Sequence, residues 1–183
     1  MDYFIDIQIK PDAEMRENVL RNIVYTKLHK RLCELQSTNI GVSFPRYKIL
    51  LGEIIRIHGS EQKLNELQTS QWLGGLSGYC EVSSIQNIPE NMQYRTISRI
   101  QPNMSEAKLR RLIQRDSISV DEIKAYKAKI YRHGLDNPYL ELKSSSNGHK
   151  HRRYLQFGEL QTEPATGVFD QFGLSKTATI PWF

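Results

Sequence analysis

The 183-residue sequence predicts an α+β protein, and three patterns along it lead to that prediction. Short runs in which apolar and polar residues alternate are typical of half-buried strands. Longer runs with apolar residues three or four positions apart are typical of helices. Over residues 1–90 these runs follow the order β-α-β-β-α-β, which is the ferredoxin-like arrangement. We therefore expect a ferredoxin-like domain over 1–90, followed by a smaller α+β domain over 91–183 that contains an arginine-rich helix.

The first ninety residues supply the elements of the expected ferredoxin-like domain. Ile5, Ile7 and Ile9 alternate with polar residues, as in a strand with one buried face. Asp12 follows a proline and can cap a long helix. The residues expected to face the core from this helix are Leu20, Ile23, Val24, Leu28, Leu32 and Leu35. In full, the expected strands cover 3–9, 40–44, 54–58 and 79–88, and the expected helices cover 12–35 and 60–73.

The expected second domain begins after a boundary at 88–91 with a strand over 94–101. A proline ends that strand, and Ser105 can cap a helix that reaches about residue 115. Ser119 and Glu122 form the capping-box pattern S-x-x-E, which predicts a second helix to about residue 131. The remaining expected strands cover 139–143, 152–157, 168–172 and 179–182.

The composition excludes several classes of protein. Apolar residues make up 39% and charged residues 25%, as in soluble globular proteins. We expect no membrane span and no signal peptide, because no apolar run is long enough and the N-terminus lacks a basic start. Cys33 and Cys80 are isolated, which suits a cytoplasmic protein rather than a disulfide scaffold or a cysteine zinc site. The absence of a phosphate loop, a G-x-S-x-G elbow and an H-E-x-x-H motif leaves nucleotide hydrolases and zinc peptidases without support.

The net charge of +5 is concentrated in one part of the chain. Residues 1–98 contain 11 basic and 11 acidic residues, 99–153 contain 13 and 6, and 154–183 contain 1 and 3. A basic segment of this kind favours a polyanionic partner such as nucleic acid. Chance clustering on a solvated surface explains the count about equally well.

The stretch SRIQPNMSEAKLRRLIQR, at 98–115, opens the basic segment. Arg99 and Gln101 have side chains that can each make two hydrogen bonds to one base edge. In the following helix, an apolar stripe is expected from Leu109, Leu112 and Ile113. Basic residues at a spacing that can follow a row of phosphates are Lys108, Arg111 and Arg115, with Arg110 beside them. Taken alone, the stretch favours the alternative of an ordinary amphipathic helix with a solvated charged face.

Histidines are the residues with catalytic potential. His149 and His151 form an H-x-H pair, but their basic surroundings repel cations and a structural zinc site needs four ligands, so no metal is expected. His29 can take a proton from a hydroxyl near neutral pH. The ribose 2′-OH of RNA can itself be the nucleophile, so such an enzyme needs only a base, a positioning group such as Ser144, and an in-line geometry. The sequence alone does not show that His29 and Ser144 lie close together. Taken by itself, the position of His29 indicates an ordinary histidine at the edge of a helix.

Six stretches follow one another along the chain: MDYFIDI, KLHKRL, NIGVSFP, SRIQ, LKSSSNG and GLSKTATIPWF. Together they resemble the CRISPR repeat-processing endoribonuclease of the type I-F system. The resemblance implies an enzyme that binds the hairpin in each repeat of precursor CRISPR RNA and cuts at the base of its stem. It implies attack by the 2′-OH without a metal or other cofactor, which leaves a 2′,3′-cyclic phosphate. It also implies that the protein stays on the mature guide RNA as a subunit of the type I-F surveillance complex.

The resemblance also implies roles for individual residues. His29 matches the catalytic histidine and Ser144 the serine that holds the 2′-OH. Ser146 and Asn147 match loop positions that contact RNA near the cut, although the family commonly has threonine at the second. Arg99 and Gln101 match the pair that reads purines at the bottom of the stem. The positions that match groove-facing residues of the helix are Arg110, Arg111 and Arg115, with Lys108 keeping polarity but not identity.

Two further positions depart from the family pattern. Phe172 stands where some members have a tyrosine near the active histidine, so a hydroxyl there cannot be essential to this enzyme. His151 replaces an aromatic residue that stacks on the terminal base pair, and imidazole stacks more weakly. The major groove of A-form RNA is narrow, but it opens near a hairpin's end. We therefore expect the helix to recognise shape and phosphates, with base reading left to Arg99 and Gln101.

Two alternatives stay open on the sequence. One is a non-catalytic subunit that grips a guide-RNA hairpin without cutting it, which Phe172 and Asn147 keep possible. The other is a DNA-binding protein that uses the arginine-rich helix as its recognition element.

Overall fold

A computed structural model describes residues 1–101, 106–132, 137–143 and 148–183, and the side chains of 106–107 and 129–132 are also outside the description. The chain is an α+β protein with antiparallel sheets, as the sequence predicts. In the described part of the chain, no helix is long and apolar enough to cross a membrane.

The main sheet is built from the first ninety residues around a central strand, β1 (Tyr3–Ile9). The order of its path is β2-β3-β1-β4, β5 also pairs with β1, and neighbouring strands are antiparallel. Ile5, Ile7 and Ile9 are each 1% exposed, so the predicted alternation of this strand is confirmed. The other strands of the sheet are β2 (Gly41–Ser43), β3 (Ile54–Gly59), β4 (Cys80–Val82) and β5 (Gln86–Asn87). The single strand predicted over 79–88 is therefore two short ones.

Two helices flank this sheet, α1 (Glu17–Glu34) and α2 (Glu61–Thr69). The predicted start of α1 at residue 12 is wrong, because the Asp12 carboxylate accepts the backbone N–H groups of Glu14 and Met15 and closes a turn before the helix. Ser60 caps α2 as predicted, but α2 ends earlier than residue 73. A 3₁₀ helix, Gly74–Tyr79, follows it.

The predicted inner face of α1 is largely buried. Leu20, Val24, Leu28 and Leu32 have at most 1% of their surface exposed. Ile23 was expected among them but is 36% exposed, and Leu35 is only partly buried. Tyr25 takes part in the buried face instead.

The described residues of the second half form two smaller antiparallel sheets and two helices. The elements are β6 (Gln93–Arg95), β7 (Ile97–Ile100), α3 (Glu106–Gln114), α4 (Val120–Arg132), β8 (Tyr139–Lys143), β9 (Lys150–Phe157) and β10 (Ile180–Trp182). One sheet has the order β7-β9-β8, and β6 pairs with β10 in the other. The single strand predicted over 94–101 is thus divided between two sheets.

Segment 168–172 is not a strand, contrary to the prediction. The carboxylate of Asp170 accepts the backbone N–H groups of Phe172 and Leu174, and Gly173 donates to the Asp170 carbonyl. These bonds close a turn in place of a strand ladder. The predicted capping box of α4 is confirmed, since Ser119 N–H donates to the Glu122 carboxylate at 2.8 Å and Glu122 N–H to the Ser119 hydroxyl at 3.3 Å.

The buried side chains of both halves form one hydrophobic cluster. Ile97, Leu142 and Leu155 belong to it together with Ile5 and Leu28. The position of the domain boundary near residue 90 stays a prediction. In this fold, α1 lies close to the β7-β9-β8 sheet and to the turn at 170–173.

Candidate active site around His29

His29 lies on α1 at the point where the helix meets the turn at 170–173. Its Nδ1 atom is 2.8 Å from the main-chain carbonyl oxygen of Gln171. Because a carbonyl only accepts hydrogen bonds, Nδ1 is the protonated nitrogen of the ring. In the neutral imidazole the lone pair is then on Nε2, which is the arrangement a general base needs.

Phe172 fixes the plane of the imidazole. The two rings are stacked at a centroid distance of 3.5 Å and an angle of 12°. The main chain of Phe172 is itself held, because the Tyr25 hydroxyl donates to its carbonyl oxygen at 2.6 Å. Gly173 follows in the left-handed region, with φ of 69°, and a side chain there would overlap Val42. The contribution of Phe172 to this site is its ring face.

Arg153 lies on β9 and packs on the same aromatic ring. Its guanidinium carbon is 3.4 Å from the centre of the Phe172 ring, and only 7% of the residue is exposed. Two groups this close to one ring centre cannot share a face, so His29 and Arg153 lie on opposite faces of Phe172. Burial lowers the pKa of Arg153, and the nearby charge of Arg99 lowers it further.

Cys33 lies one helical turn after His29. Its thiol is 3.1 Å from the side-chain oxygen of Gln171 and 3.5 Å from His29 Nδ1. Burial raises the pKa of this thiol, so it is a poor nucleophile near neutral pH. Cys33 therefore helps to fill the space around His29 and the turn.

The electrostatic surroundings favour neutral His29. Burial is the largest influence and lowers the pKa of His29 below its ordinary value. The Gln171 carbonyl and the charge of Asp170 act in the opposite direction, while the charges of Arg153 and Lys30 lower the pKa further. The imidazole is thus available as a proton acceptor at neutral pH.

The serine loop expected to complete the site falls largely outside the described residues. Ser144, Ser146 and Asn147 lie outside the described residues, between β8, which ends at Lys143, and β9, which begins at Lys150. Their predicted roles stay predictions.

The residues predicted to bind RNA occupy exposed positions where the structure describes them. Arg99 is on β7 and Gln101 directly follows that strand. His151 is on β9, paired in register with Leu142. The exposed basic residues of α3 and its end are Lys108, Arg110, Arg111 and Arg115.

The apolar stripe predicted for α3 is only partly buried. Leu109 is 4% exposed, whereas Ile113 is 46% exposed. Among the residues that the structure describes, no three His, Cys, Asp or Glu side chains are grouped so that they could hold a metal ion. A groove of about 690 Å³ lies elsewhere, between α1, the loop at 49–51 and the start of β8, and His29 does not line it.

Sequence reasoning missed Arg153 and Gln171 as parts of the site. Arg153 was counted only as one basic residue of the charged segment. A weak signal did exist, because Arg153 and Leu155 point to the same face of a strand and Leu155 is apolar. Gln171 acts through its main chain, which leaves no signal in the side-chain pattern.

Comparison with known proteins finds a family model and relatives that match this chain along nearly its whole length. The family model described as CRISPR-associated protein (Cas_Csy4) matches residues 4–183. A protein of Escherichia coli (strain UTI89 / UPEC) named CRISPR-associated endonuclease Cas6/Csy4 is 35% identical over 184 residues. A protein of the same name from Pseudomonas aeruginosa (strain UCBPP-PA14) is 34% identical over 187 residues. Both alignments cover 100% of this chain and 100% of the relative.

A solved structure also aligns with the chain, at a much lower similarity. It is titled as Thermus thermophilus Cse3 bound to an RNA representing a pre-cleavage complex. The TM-score is 0.36 and the identity 10%, with 99% of this chain and 100% of that chain covered. A likeness at this level adds nothing to the assignment, which rests on the family model and the two full-length relatives. On that basis the chain belongs to the Csy4 family of CRISPR-associated proteins, which confirms the resemblance found in the sequence.

Proposed function

We propose that the protein is a metal-independent endoribonuclease that cuts precursor CRISPR RNA at the base of the repeat hairpin. The observation that carries the proposal is His29, whose Nδ1 is bound to the Gln171 carbonyl at 2.8 Å, so that Nε2 is the basic nitrogen. The two full-length relatives are named CRISPR-associated endonucleases, which supports the same class of activity.

The chemistry follows from one basic nitrogen and the ribose of the substrate. Nε2 of His29 takes the proton of the 2′-OH upstream of the scissile phosphate, and the 2′ oxygen bonds to phosphorus. The bond from phosphorus to the 5′ oxygen breaks, and that oxygen takes a proton from solvent water as it leaves. The products are a 2′,3′-cyclic phosphate and a 5′-hydroxyl. Because the substrate supplies the nucleophile, the protein contributes the base and the geometry, which for a general base is worth about 10²- to 10⁴-fold in rate.

Ser144 is proposed to hold the 2′-OH, and Ser146 and Asn147 to contact the RNA beside the cut. In the sequence all three fall between the end of β8 and the start of β9, and β9 also contains Arg153, which packs on Phe172 beside His29. That connection supports a loop close to His29.

RNA recognition is proposed for two exposed surfaces. Arg99 and Gln101 would read bases, since both side chains can bond two atoms of one base edge. His151 would stack on the terminal base pair. The basic residues Lys108, Arg110, Arg111 and Arg115 would follow the phosphates of the stem, so replacing one should weaken binding and lower the salt dependence by about one counterion.

We further propose that the protein stays on the mature guide RNA and joins other subunits of the type I-F surveillance complex. The proposed division of labour is a ferredoxin-like domain over 1–90 with the histidine and an RNA-binding domain over 91–183. The β-α-β-β-α-β element order and the strand order β2-β3-β1-β4 support the first part of that division.

The chemical step is tested with a modified substrate. Repeat RNA with a 2′-deoxy nucleotide just before the cut should bind normally and stay intact, because the nucleophile is missing. Unmodified RNA should be cut at the same rate with and without excess EDTA. Cleavage of the deoxy substrate, or loss of cleavage with the chelator, rules out the proposed mechanism.

The role of the histidine is tested by His29→Ala. Single-turnover cleavage should fall by about 10²-fold or more, while the Kd for the hairpin changes less than about threefold. Glu34→Gln is the matched control, since Glu34 is an exposed residue of the same helix that pairs with Arg31. A large loss of affinity in His29→Ala would make His29 a binding or structural residue instead.

The cleavage assay and a binding competition decide the two alternatives left by the sequence. A non-catalytic hairpin-binding subunit would retain the RNA without producing a shortened product. A DNA-binding protein would prefer duplex DNA to an RNA hairpin of the same sequence in direct competition.

A further inference from the structure

Three side chains from three separate elements form one stack beside the turn at 170–173. The imidazole of His29 comes from α1, the ring of Phe172 from the turn, and the guanidinium of Arg153 from β9. The imidazole and phenyl rings are nearly parallel, at 12°, and the guanidinium carbon is 3.4 Å from the phenyl centre. Phe172 is therefore enclosed on both faces, and its ring lies between Arg153 and His29.

The burial of Arg153 is not explained by an ion pair. Within the described ranges, no carboxylate forms a salt bridge with Arg153, and its Nε atom is buried without a hydrogen-bond partner. A buried cation without a paired charge costs free energy. Arg153 lies over the face of Phe172, and a desolvated cation over an aromatic face gains part of that free energy back, while the charge of Asp170 also favours the charged form of Arg153. The part of the desolvation free energy that these contacts do not recover indicates that Arg153 has a role other than stabilising the fold.

A different surface on the same strand provides a comparison. Arg152, the preceding residue, is exposed and lies over the ring of Tyr139 at 4.5 Å. It makes the same type of contact as Arg153, but on the other side of the strand and away from His29. Arg152 is therefore the matched control for any effect that Arg153 has on His29.

Resting on the role proposed above for His29, we infer that Arg153 is a positioning residue for RNA cleavage. It packs on one face of Phe172 and so fixes the ring on whose other face the His29 imidazole is stacked. With Nδ1 bound to the Gln171 carbonyl, this stack leaves the imidazole a single orientation for Nε2. Arg153 itself does not touch the RNA in this role, because it is buried.

A second consequence concerns the protonation of His29. The groups that face it are Lys30 and Cys33 from its own helix, Asp170 and the Gln171 carbonyl from the turn, and Arg153 from β9. The charge of Arg153 lowers the pKa of His29. Removal of that charge should raise the pKa of His29 and move the acid limb of the cleavage rate to higher pH.

The test compares Arg153→Met, Arg153→Lys, Phe172→Leu and the control Arg152→Met in the full-length protein. Measurements are single-turnover cleavage against pH, hairpin affinity, and NMR titration of the His29 ring in the RNA-free protein. In Arg153→Met, cleavage should fall roughly five- to thirty-fold, the change that corresponds to a lost contact of about 1 to 2 kcal/mol. Affinity should change less than twofold, and both the acid limb and the NMR pKa of His29 should move up.

The remaining variants separate positioning from charge and from folding. Arg153→Lys keeps the charge without the planar contact, so its rate should fall while the acid limb stays near that of the unmodified protein. In a Phe172→Leu background, Arg153→Met should change the rate less than twofold, because the ring that links the two residues is gone. Arg152→Met should leave the NMR titration of His29 unchanged.

The inference is overturned if Arg153→Met and Arg153→Lys both cut within twofold of the unmodified protein, or if Arg153→Met has its full effect in the Phe172→Leu background. Should Arg153→Met fail to fold, the cleavage rate of Arg153→Lys and the NMR titration of His29 in that variant test the inference instead. The inference and the proposed function fail separately. If His29→Ala still cuts, the proposed function is wrong, whereas an inactive His29→Ala beside fully active Arg153 variants refutes only the role of Arg153.

Discussion

Acidification should destabilise the protein through one buried histidine, His58. This residue is 0% exposed in strand β3, its Nε2 is 2.8 Å from the Ser43 hydroxyl, and its Nδ1 has no partner among the described residues. Burial, with the nearby charge of Arg56, lowers the pKa of His58 to about 3 from an ordinary value of 6.5. The folded protein therefore keeps this imidazole neutral over a range in which the unfolded chain protonates it.

The sign and size of the effect follow from this difference in pKa. Between pH 6.5 and pH 3 the unfolded chain binds one more proton at this site, so the free energy of unfolding falls as the pH falls. The slope is about 1.4 kcal/mol per pH unit, which between pH 6.5 and pH 5 amounts to about 2 kcal/mol. Above about pH 7.5, where the unfolded chain no longer protonates this imidazole, the site should contribute almost no pH dependence.

Urea unfolding at pH 7.5, 6.5, 5.5 and 5.0, followed by tryptophan fluorescence, measures this effect. His58→Gln should lose about 2 kcal/mol less than the unmodified protein between pH 6.5 and pH 5, whatever its stability at pH 7.5. His151→Gln, which removes an exposed histidine, is the control. Equal losses in His58→Gln and the unmodified protein, or an NMR titration of folded His58 near 6.5, would refute the reasoning. Cleavage profiles should accordingly be recorded above about pH 5.5.

Three further substitutions have expected effects on stability or on the site. Arg56→Met should lower the free energy of unfolding by about 2 to 3 kcal/mol in urea titrations. Arg56 now donates to both oxygens of the partly buried Asp6 carboxylate, at 2.7 and 2.9 Å, and the substitution leaves that carboxylate without this partner. Adding Asp6→Asn should therefore recover part of the loss. Ser119→Ala should weaken the start of α4 by about 1 kcal/mol, seen as faster amide exchange in that helix alone, and uniform exchange changes would contradict this. Gly173→Ala should lower the free energy of unfolding by about 1 to 3 kcal/mol and slow cleavage, because the residue has a φ of 69° and a side chain there overlaps Val42. An unchanged melting temperature would contradict this and show that the turn adapts.

The sequence predicted those elements whose signals are local. The alternation of Ile5, Ile7 and Ile9 identified β1, and the Ser119–Glu122 spacing identified the start of α4. The start of α1 was misplaced because an Asp side chain can close a turn as well as cap a helix, and the choice depends on backbone geometry. Val168 illustrates the opposite error, since apolar residues suggested a strand where the residue is 69% exposed.

The candidate site was less predictable because its contacts join distant parts of the chain. His29 was singled out from a resemblance, but 142 positions separate it from Gln171, and neither periodicity nor motif spacing relates the two. Phe172 was predicted to lie near the histidine, and in the structure the two rings are stacked. The burial of Arg153 could not be read from its type, because arginine is mostly an exposed residue.

The acceptor that orients His29 belongs to the main chain, so replacement of the Gln171 side chain cannot delete it. The tautomer of the histidine is encoded in the path of the turn at 170–173 rather than in one residue type. Position 171 should therefore tolerate many amino acids, whereas the insertion or deletion of one residue between Asp170 and Gly173 would turn the carbonyl away from the ring. Variation among relatives at this site is expected to preserve loop length more strictly than sequence.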